Sequence, residues 1–174
     1  DVESDPRTNE NAASWHSFDN GGSFTGRGIE TGLDVAKISL LAENMTQLPD
    51  GFTLHPRVRK IIDDRIKMAR GELRLDWGFC ETTAYASLVD CGSSLRLVGQ
   101  DSGRGTFFHR HAVLHNQVDG AVYTPLEHIN FEANVNIIDS LLSEEAVTGF
   151  EYGYATAAPN TLVIWEAQFG DFVN

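Results

Sequence analysis

The sequence predicts an α/β fold, a partial domain with a parallel sheet and flanking helices, preceded by an irregular linker and two amphipathic helices. Two observations carry this expectation. Short apolar runs at residues 95–98, 135–138 and 161–165 read as buried strands, and stretches of helical periodicity lie among them. Strands separated by helices imply parallel pairing, with the 135–138 strand expected beside the 161–165 strand and the helix from Ser143 crossing between them. In such sheets ligands bind where strand carboxyl ends meet helix amino ends.

Each element has its own signature. Residues 1–33 are rich in Asn, Ser, Asp, Thr and Gly, lack a sustained period and read as linker, with Trp15, Phe18 and Phe24 as the aromatics that dock onto a neighbouring surface. Residues 34–74 form a helical connecting segment. In it Val35, Ile38, Leu41, Met45 and Leu48 recur every three or four positions, and Pro49 with Asp50-Gly51 closes the first helix. The second starts at Pro56, buries Val58, Ile62, Ile66 and Ala69, and ends at Gly71. Its other face carries Arg57, Arg59, Lys60, Arg65, Lys67 and Arg70, almost half of the chain's 13 Lys and Arg, and is expected to be solvated or docked on an acidic partner.

Residues 75–174 hold the sheet. Asp76 caps a helix in which Trp77, Cys80, Ala84 and Leu88 share a face, and Gly92 stops it. Cys80 and Cys91 stand at its two ends, about 16 Å apart at 1.5 Å per residue, too far for a disulfide. The 95–98 strand leads into the loop GQDSGRG and the segment TFFHRHAVLHNQ, which runs to a turn at Asp119-Gly120. Ser143 is the expected cap of the next helix, before Glu144 and Glu145.

Composition narrows the function classes. The 174 residues, 41% hydrophobic and 22% charged, are of globular type and enough for one domain. With 13 Lys+Arg against 25 Asp+Glu the net charge is −12, which repels nucleic acid and anionic lipid. No apolar run reaches the ~20 residues of a membrane span, and DVESDPRTNE is no signal peptide. The chain does not begin with Met and stops at Asn174 directly after an aromatic segment, so a fragment of a larger protein is expected.

Four constellations bear on chemistry. Ser143-Glu144-Glu145 suits a helix start by capping and dipole alone, and would be functional if a carboxylate faced a ligand crevice. His109, His111 and His115 invite a metal reading. An H-x-H pair on a strand sets both rings on one face, but no Cys, Asp or Glu stands at a ligand spacing and Arg110 intervenes, so no metal is assigned. The loop from Gly99 to Gly105 has neither a P-loop nor a dinucleotide motif. Phe169 and Phe172, three apart after the last strand, make either a core plug or a flat wall for a ring.

Read together, LDWGFCETTAYASLVDCG, RLVGQDSGRGTFFHRHAVLHNQ and DSLLSEEAVTGFEYGYATAAPNTLVIWEAQFGDF resemble, in this order, the E1 component of 2-oxoglutarate dehydrogenase complexes. HPRVRKIIDDRIKMARGE looks like the helical segment that precedes them. The resemblance implies the N-terminal part of a transketolase-like pyrimidine-binding domain, in an oxidoreductase that uses thiamine diphosphate. It assigns Glu144 as the catalytic carboxylate, bonded to the aminopyrimidine nitrogen so that the imino tautomer can take the thiazolium proton. Glu145 keeps the capping role. Phe169 and Phe172 match the apolar pocket for the pyrimidine ring. Gln100 stands where related two-subunit enzymes have a glutamate of a proton relay, with Asp101 the nearest carboxylate. These two, with His109 and His111, make a possible active-site loop. Glu127 and Asn130-Phe131 depart from the family pattern outside the core motifs.

No G-D-G motif occurs, so Mg2+ and the diphosphate are expected on a domain outside this chain, and the fragment alone is expected to be inactive. The resemblance further implies a homodimer of the full-length parent, 2-oxoglutarate as substrate, and E2 dihydrolipoyl succinyltransferase as partner in the tricarboxylic acid cycle. It places the protein in the cytoplasm of a bacterium or the mitochondrial matrix of a eukaryote. A 2-oxoadipate dehydrogenase or 2-oxoglutarate decarboxylase of the same fold, and a noncatalytic α/β interaction module, are the alternatives.

Overall fold

The computed structural model describes Trp15, residues 30–169 and Asp171; Phe18, Phe24 and Phe172 lie outside the described residues. Helix α1 (Val35–Thr46) buries Leu41, Ala42 and Met45. Helix α2 (Pro56–Ala69) begins with proline where no amide donor is needed, and Gly71, at φ 74°, reverses the chain after it. Of its expected apolar face Ile62 is buried and Val58, Ile66 and Ala69 are half-buried, while Met68, not among the residues expected there, is buried as well. Arg65, expected on the solvated face, is instead 5% exposed. It reaches across to donate to the carbonyls of His109 (3.1 Å) and Arg110, a demand from another segment that helical periodicity does not register.

Helix α3 (Trp77–Asp90) is capped as its sequence predicts: the Asp76 carboxylate accepts from the Phe79 amide at 2.7 Å. Gly92, at φ 88°, ends it, and the Ser93 amide donates back to the Leu88 carbonyl. The stripe of Trp77, Ala84 and Leu88 faces outward. The buried face is Phe79, Thr82, Tyr85, Ala86 and Val89, where the Thr82 hydroxyl is satisfied by the Gly78 carbonyl at 2.7 Å.

Strand β1 (Ser94–Gly99) carries buried Leu95, Leu97 and Val98, a near-continuous apolar run that suits a strand covered on both faces. A short antiparallel hairpin follows, β2 (Leu114–His115) with β3 (Val122–Tyr123), turning at Gly120, and then a 3-10 turn (Pro125–His128). Strand β4 (Val135–Asp139), helix α4 (Glu144–Ala157) and strand β5 (Thr161–Glu166) complete the fold. The sheet is parallel and flanked by helices, as expected, but its order is β4-β1-β5. The expected adjacency of the 135–138 and 161–165 strands is therefore corrected: β1, the strand with the most buried side chains, lies between them and pairs with both.

The two faces differ in character. Leu95 and Leu97 join the core made with Phe79, Ala86 and Val89 of α3, Leu41 and Met45 of α1, and Leu126. Arg96, between them in sequence, points to the opposite face. There its guanidinium donates to both oxygens of the buried Glu151 of α4 (2.6 and 2.8 Å) and lies 4.6 Å from the Tyr154 ring centre. Far along the chain, the Trp15 indole donates to the Thr156 carbonyl at 2.8 Å. Both cysteines are free thiols.

Candidate functional site

Parallel pairing sets all three strand carboxyl ends on one edge of the sheet, and the strand order decides what stands beside what. Gln100 and Asp101 leave β1 in the middle; Glu144 follows β4 on one side, and Phe169 follows β5 on the other. The outer two strands are two inter-strand spacings apart, about 10 Å.

Four non-glycine residues among those described have positive φ: Phe108 (55°), His111 (44°), Glu144 (51°) and Phe169 (43°). All follow strand carboxyl ends, and three are site candidates from the sequence. Such conformations cost of order 1–3 kcal/mol each and concentrate at functional sites. Glu144 is exposed at the start of α4. Ser143 holds the capping position without a side-chain capping bond, contrary to the sequence expectation, because the left-handed turn at Glu144 takes the first helical amides out of its reach. Glu145 points elsewhere, to a shallow surface with Thr148, Gly149 and Tyr152.

The segment after β1 is irregular, so the expectation that His109 and His111 sit on a strand and share a face is also corrected. Positive φ at Gly105, Phe108 and His111 breaks any extended run, and the two rings line different cavities. His111 lines one of 510 Å3 with His55, Asp101, Arg104, His115 and Asp139. Burial, together with Arg65 and Arg104, holds the His111 pKa below its ordinary value of 6.5. Asp101 is ion-paired with Arg104, and Gln100 is exposed. His109 lines the second cavity, of 370 Å3, with Thr106, Phe107, Glu166, Ala167 and Phe169. Phe107 and Phe169 meet there edge to face, centroids 6.4 Å apart at 80°. Glu144 lines neither cavity.

A buried ionic network backs the second cavity. Arg110, its side chain 3% exposed, donates from Nη2 to Glu81 Oε1 (2.9 Å) and to Glu166, and from Nη1 to the Ser102 carbonyl (2.9 Å). The Tyr85 hydroxyl donates to Glu81 at 2.7 Å. Burial alone would raise the Glu81 pKa, but the bonds from Arg110 and Tyr85 outweigh it and hold the carboxyl below its ordinary 4.5. His109 Nε2 stands 3.5 Å from Glu81. Thr106 donates to Glu166 at 3.3 Å and accepts from Gln168 Nε2 at 2.9 Å. Among the described residues, no group of three His, Cys, Asp or Glu side chains converges as a metal site, and no helix is long and apolar enough to cross a membrane.

Residues 74–174, more than half of the chain, match the family described as the pyrimidine binding domain of transketolase. The chain belongs to this family. Over 150 residues it is 54% identical to the 2-oxoglutarate dehydrogenase E1 component of Cupriavidus necator, an alignment covering 83% of this chain and 16% of that protein. Its identity to the protein of the same name in Haemophilus influenzae is 57% over 135 residues, covering 77% and 14%. For that of Coxiella burnetii it is 53% over 147 residues, covering 84% and 16%. The chain thus spans about one sixth of the length of the curated relatives it matches.

In this pyrimidine-binding domain the residues that sequence reasoning missed are Phe107, Glu81, Glu166 and Arg110; for Arg65, in the helix before it, what was missed is its contact with the His109 and Arg110 carbonyls. Two had a readable signal: Glu166 ends an apolar strand within the WEAQFGDF motif, and Phe107 opens an aromatic pair in a loop. Arg110 and Glu81 had none, because the ion pair between them joins segments 29 positions apart.

Proposed function

We propose that this chain is part of a 2-oxoglutarate dehydrogenase E1 component, which decarboxylates 2-oxoglutarate and passes the succinyl group to the lipoyl arm of E2 dihydrolipoyl succinyltransferase. The observation that carries this reading is the identity of 53–57% to three proteins of that name across most of the chain. The parent works as a homodimer in the bacterial cytoplasm, with Mg2+ and the diphosphate held by a domain outside this chain.

The residues present fit the pyrimidine half of thiamine diphosphate. An edge-to-face aromatic corner beside a carboxylate and a hydroxyl suits a flat ring with apolar faces and a hydrogen-bonding rim. When bound, thiamine diphosphate supplies the nucleophilic carbon and the electron sink for cleaving a 2-oxo acid. The chain's own work is to hold and orient it. Phe169 and Phe172 would line the ring and exclude water from it, and Glu144 would hold a ring nitrogen with its carboxyl group. Glu144 is strained and exposed on the edge that also carries Phe169, which supports that role.

The test is Glu144→Gln in the full-length protein, which keeps size but cannot transfer the proton. Hydrogen exchange at the thiazolium carbon should fall by about 100-fold or more, in the range of a lost general acid–base group, while Glu145→Gln exchanges nearly normally. Normal exchange in Glu144→Gln would show that another residue activates the cofactor. Turnover of 2-oxoadipate in preference to 2-oxoglutarate would reassign the substrate.

A further inference from the structure

We propose that Phe107, in the loop after β1, is a second ring-binding wall of the pyrimidine site, set opposite Phe169 by an Arg110–Glu166 bridge that locks the two loops together. The inference rests on the reading of the chain as a thiamine diphosphate enzyme and names a residue that this reading does not.

Three observations carry it. First, Phe107 and Phe169 are each 76% exposed, a large apolar area to leave toward water, yet they are not scattered. They meet at 80° around one 370 Å3 cavity, and the His109 ring, which lines the same cavity, stands 6.3 Å from Phe107. Rings at a right angle leave an open corner, where a third planar ring can stack on one and meet the edge of the other.

Second, the corner is built. Its two sides come from loops about 60 residues apart, joined by Thr106 to Glu166, Gln168 to Thr106 and Arg110 to Glu166. The loop cannot relax away from His109. Gly105, at φ 81°, packs so closely that a Cβ there would come within 2.5 Å of His109 Cε1. At Gly78, a Cβ would collide with the His109 carbonyl oxygen. Arg65 holds that same carbonyl from behind. A surface aromatic with no task would not need its loop tied at four points.

Third, the polar groups at the corner define the occupant. Glu166 offers carboxylate oxygens and Thr106 a hydroxyl, so the rim of the ring carries a donor such as an exocyclic amine. An aminopyrimidine has both the flat apolar faces and that donor.

The experiment is cofactor binding by the full-length protein, followed by tryptophan fluorescence in the presence of Mg2+, with inorganic pyrophosphate as a competitor that has no ring. Phe107→Ala should raise the Kd for thiamine diphosphate by about threefold to tenfold, the range of one aromatic contact. The competition constant of pyrophosphate should not change. Phe107→Tyr should restore binding, and Phe131→Ala, at an exposed aromatic remote from the cavity, should bind as the unaltered protein does. If Phe107→Ala binds normally while Phe169→Ala binds weakly, Phe107 is not a wall. Equal weakening of thiamine diphosphate and pyrophosphate would also overturn the assignment, as a general disturbance. An unaltered protein that binds no thiamine diphosphate would remove the functional reading itself.

Discussion

Arg110 carries its charge at a side chain only 3% exposed, and the groups around it include two carboxylates, a backbone carbonyl and the His109 ring. Removing the charge leaves Glu81 and Glu166 facing each other without their shared counterion, so Arg110→Met should lower stability by about 3–5 kcal/mol in urea unfolding. Acid acts on the same network. Because Glu81 is held below 4.5, its stabilising contribution is complete above that pH and is lost as pH falls through the lower folded value. Stability should therefore fall with acid below about pH 4.5, and Glu81→Gln should flatten that dependence in pH-resolved thermal unfolding. None of this was visible in the sequence, since Arg110 meets its carboxylates 29 and 56 positions away and no local pattern encodes such a meeting. Glu144 and Phe169 were singled out because the motifs that carry the family resemblance are contiguous, each following its strand by a few residues.

Helix α2 shows how far a periodic pattern carries. Its start at Pro56, its end at Gly71 and the burial of Ile62 follow from local chemistry. The role of Arg65 does not, since a long cation buries its head only where another segment offers acceptors. Two arginines on one helix therefore predict opposite outcomes. Arg65→Leu leaves two carbonyls without their donor and should cost about 2–4 kcal/mol, whereas exposed Arg59→Leu should stay within about 0.5 kcal/mol in the same unfolding assay. Helix α3 makes the same point through glycine. Gly78→Ala drives a methyl group into the His109 carbonyl and should displace the cavity loop, seen as a change in near-ultraviolet circular dichroism. Gly153→Ala, in open space on α4, should stabilise by about 0.5–1 kcal/mol.

At the scale of the whole molecule, sequence reading recovered the parallel α/β class and each of the three strands, because buried parallel strands are apolar runs. It misplaced their order, which is set by long-range pairing: β1 takes both β4 and β5 as neighbours, and no local pattern encodes that choice. As the central strand, β1 has both edges paired, and Leu97 is fully buried. Its amides should exchange more slowly than those of β4 and β5 in hydrogen-exchange mass spectrometry. Leu97→Ala should cost about 2–5 kcal/mol, with a matching loss of protection in both neighbouring strands.

The bridge through Arg110 also has a history during synthesis. Its first carboxylate, Glu81, leaves the ribosome before Arg110 does, but Glu166 follows 56 residues later. At 5–20 residues per second that is a wait of roughly 3–11 s, in which the arginine has one of its two carboxylates and the aromatic corner one of its two rings. The nascent domain can collapse around β1 and β4 in that interval, yet its aromatic corner stays half made until the segment after β5 arrives. Translation pauses between codons 110 and 166 would lengthen this open period, and substitutions that strengthen the hold of Glu81 on Arg110 would shorten the chance of mispairing within it.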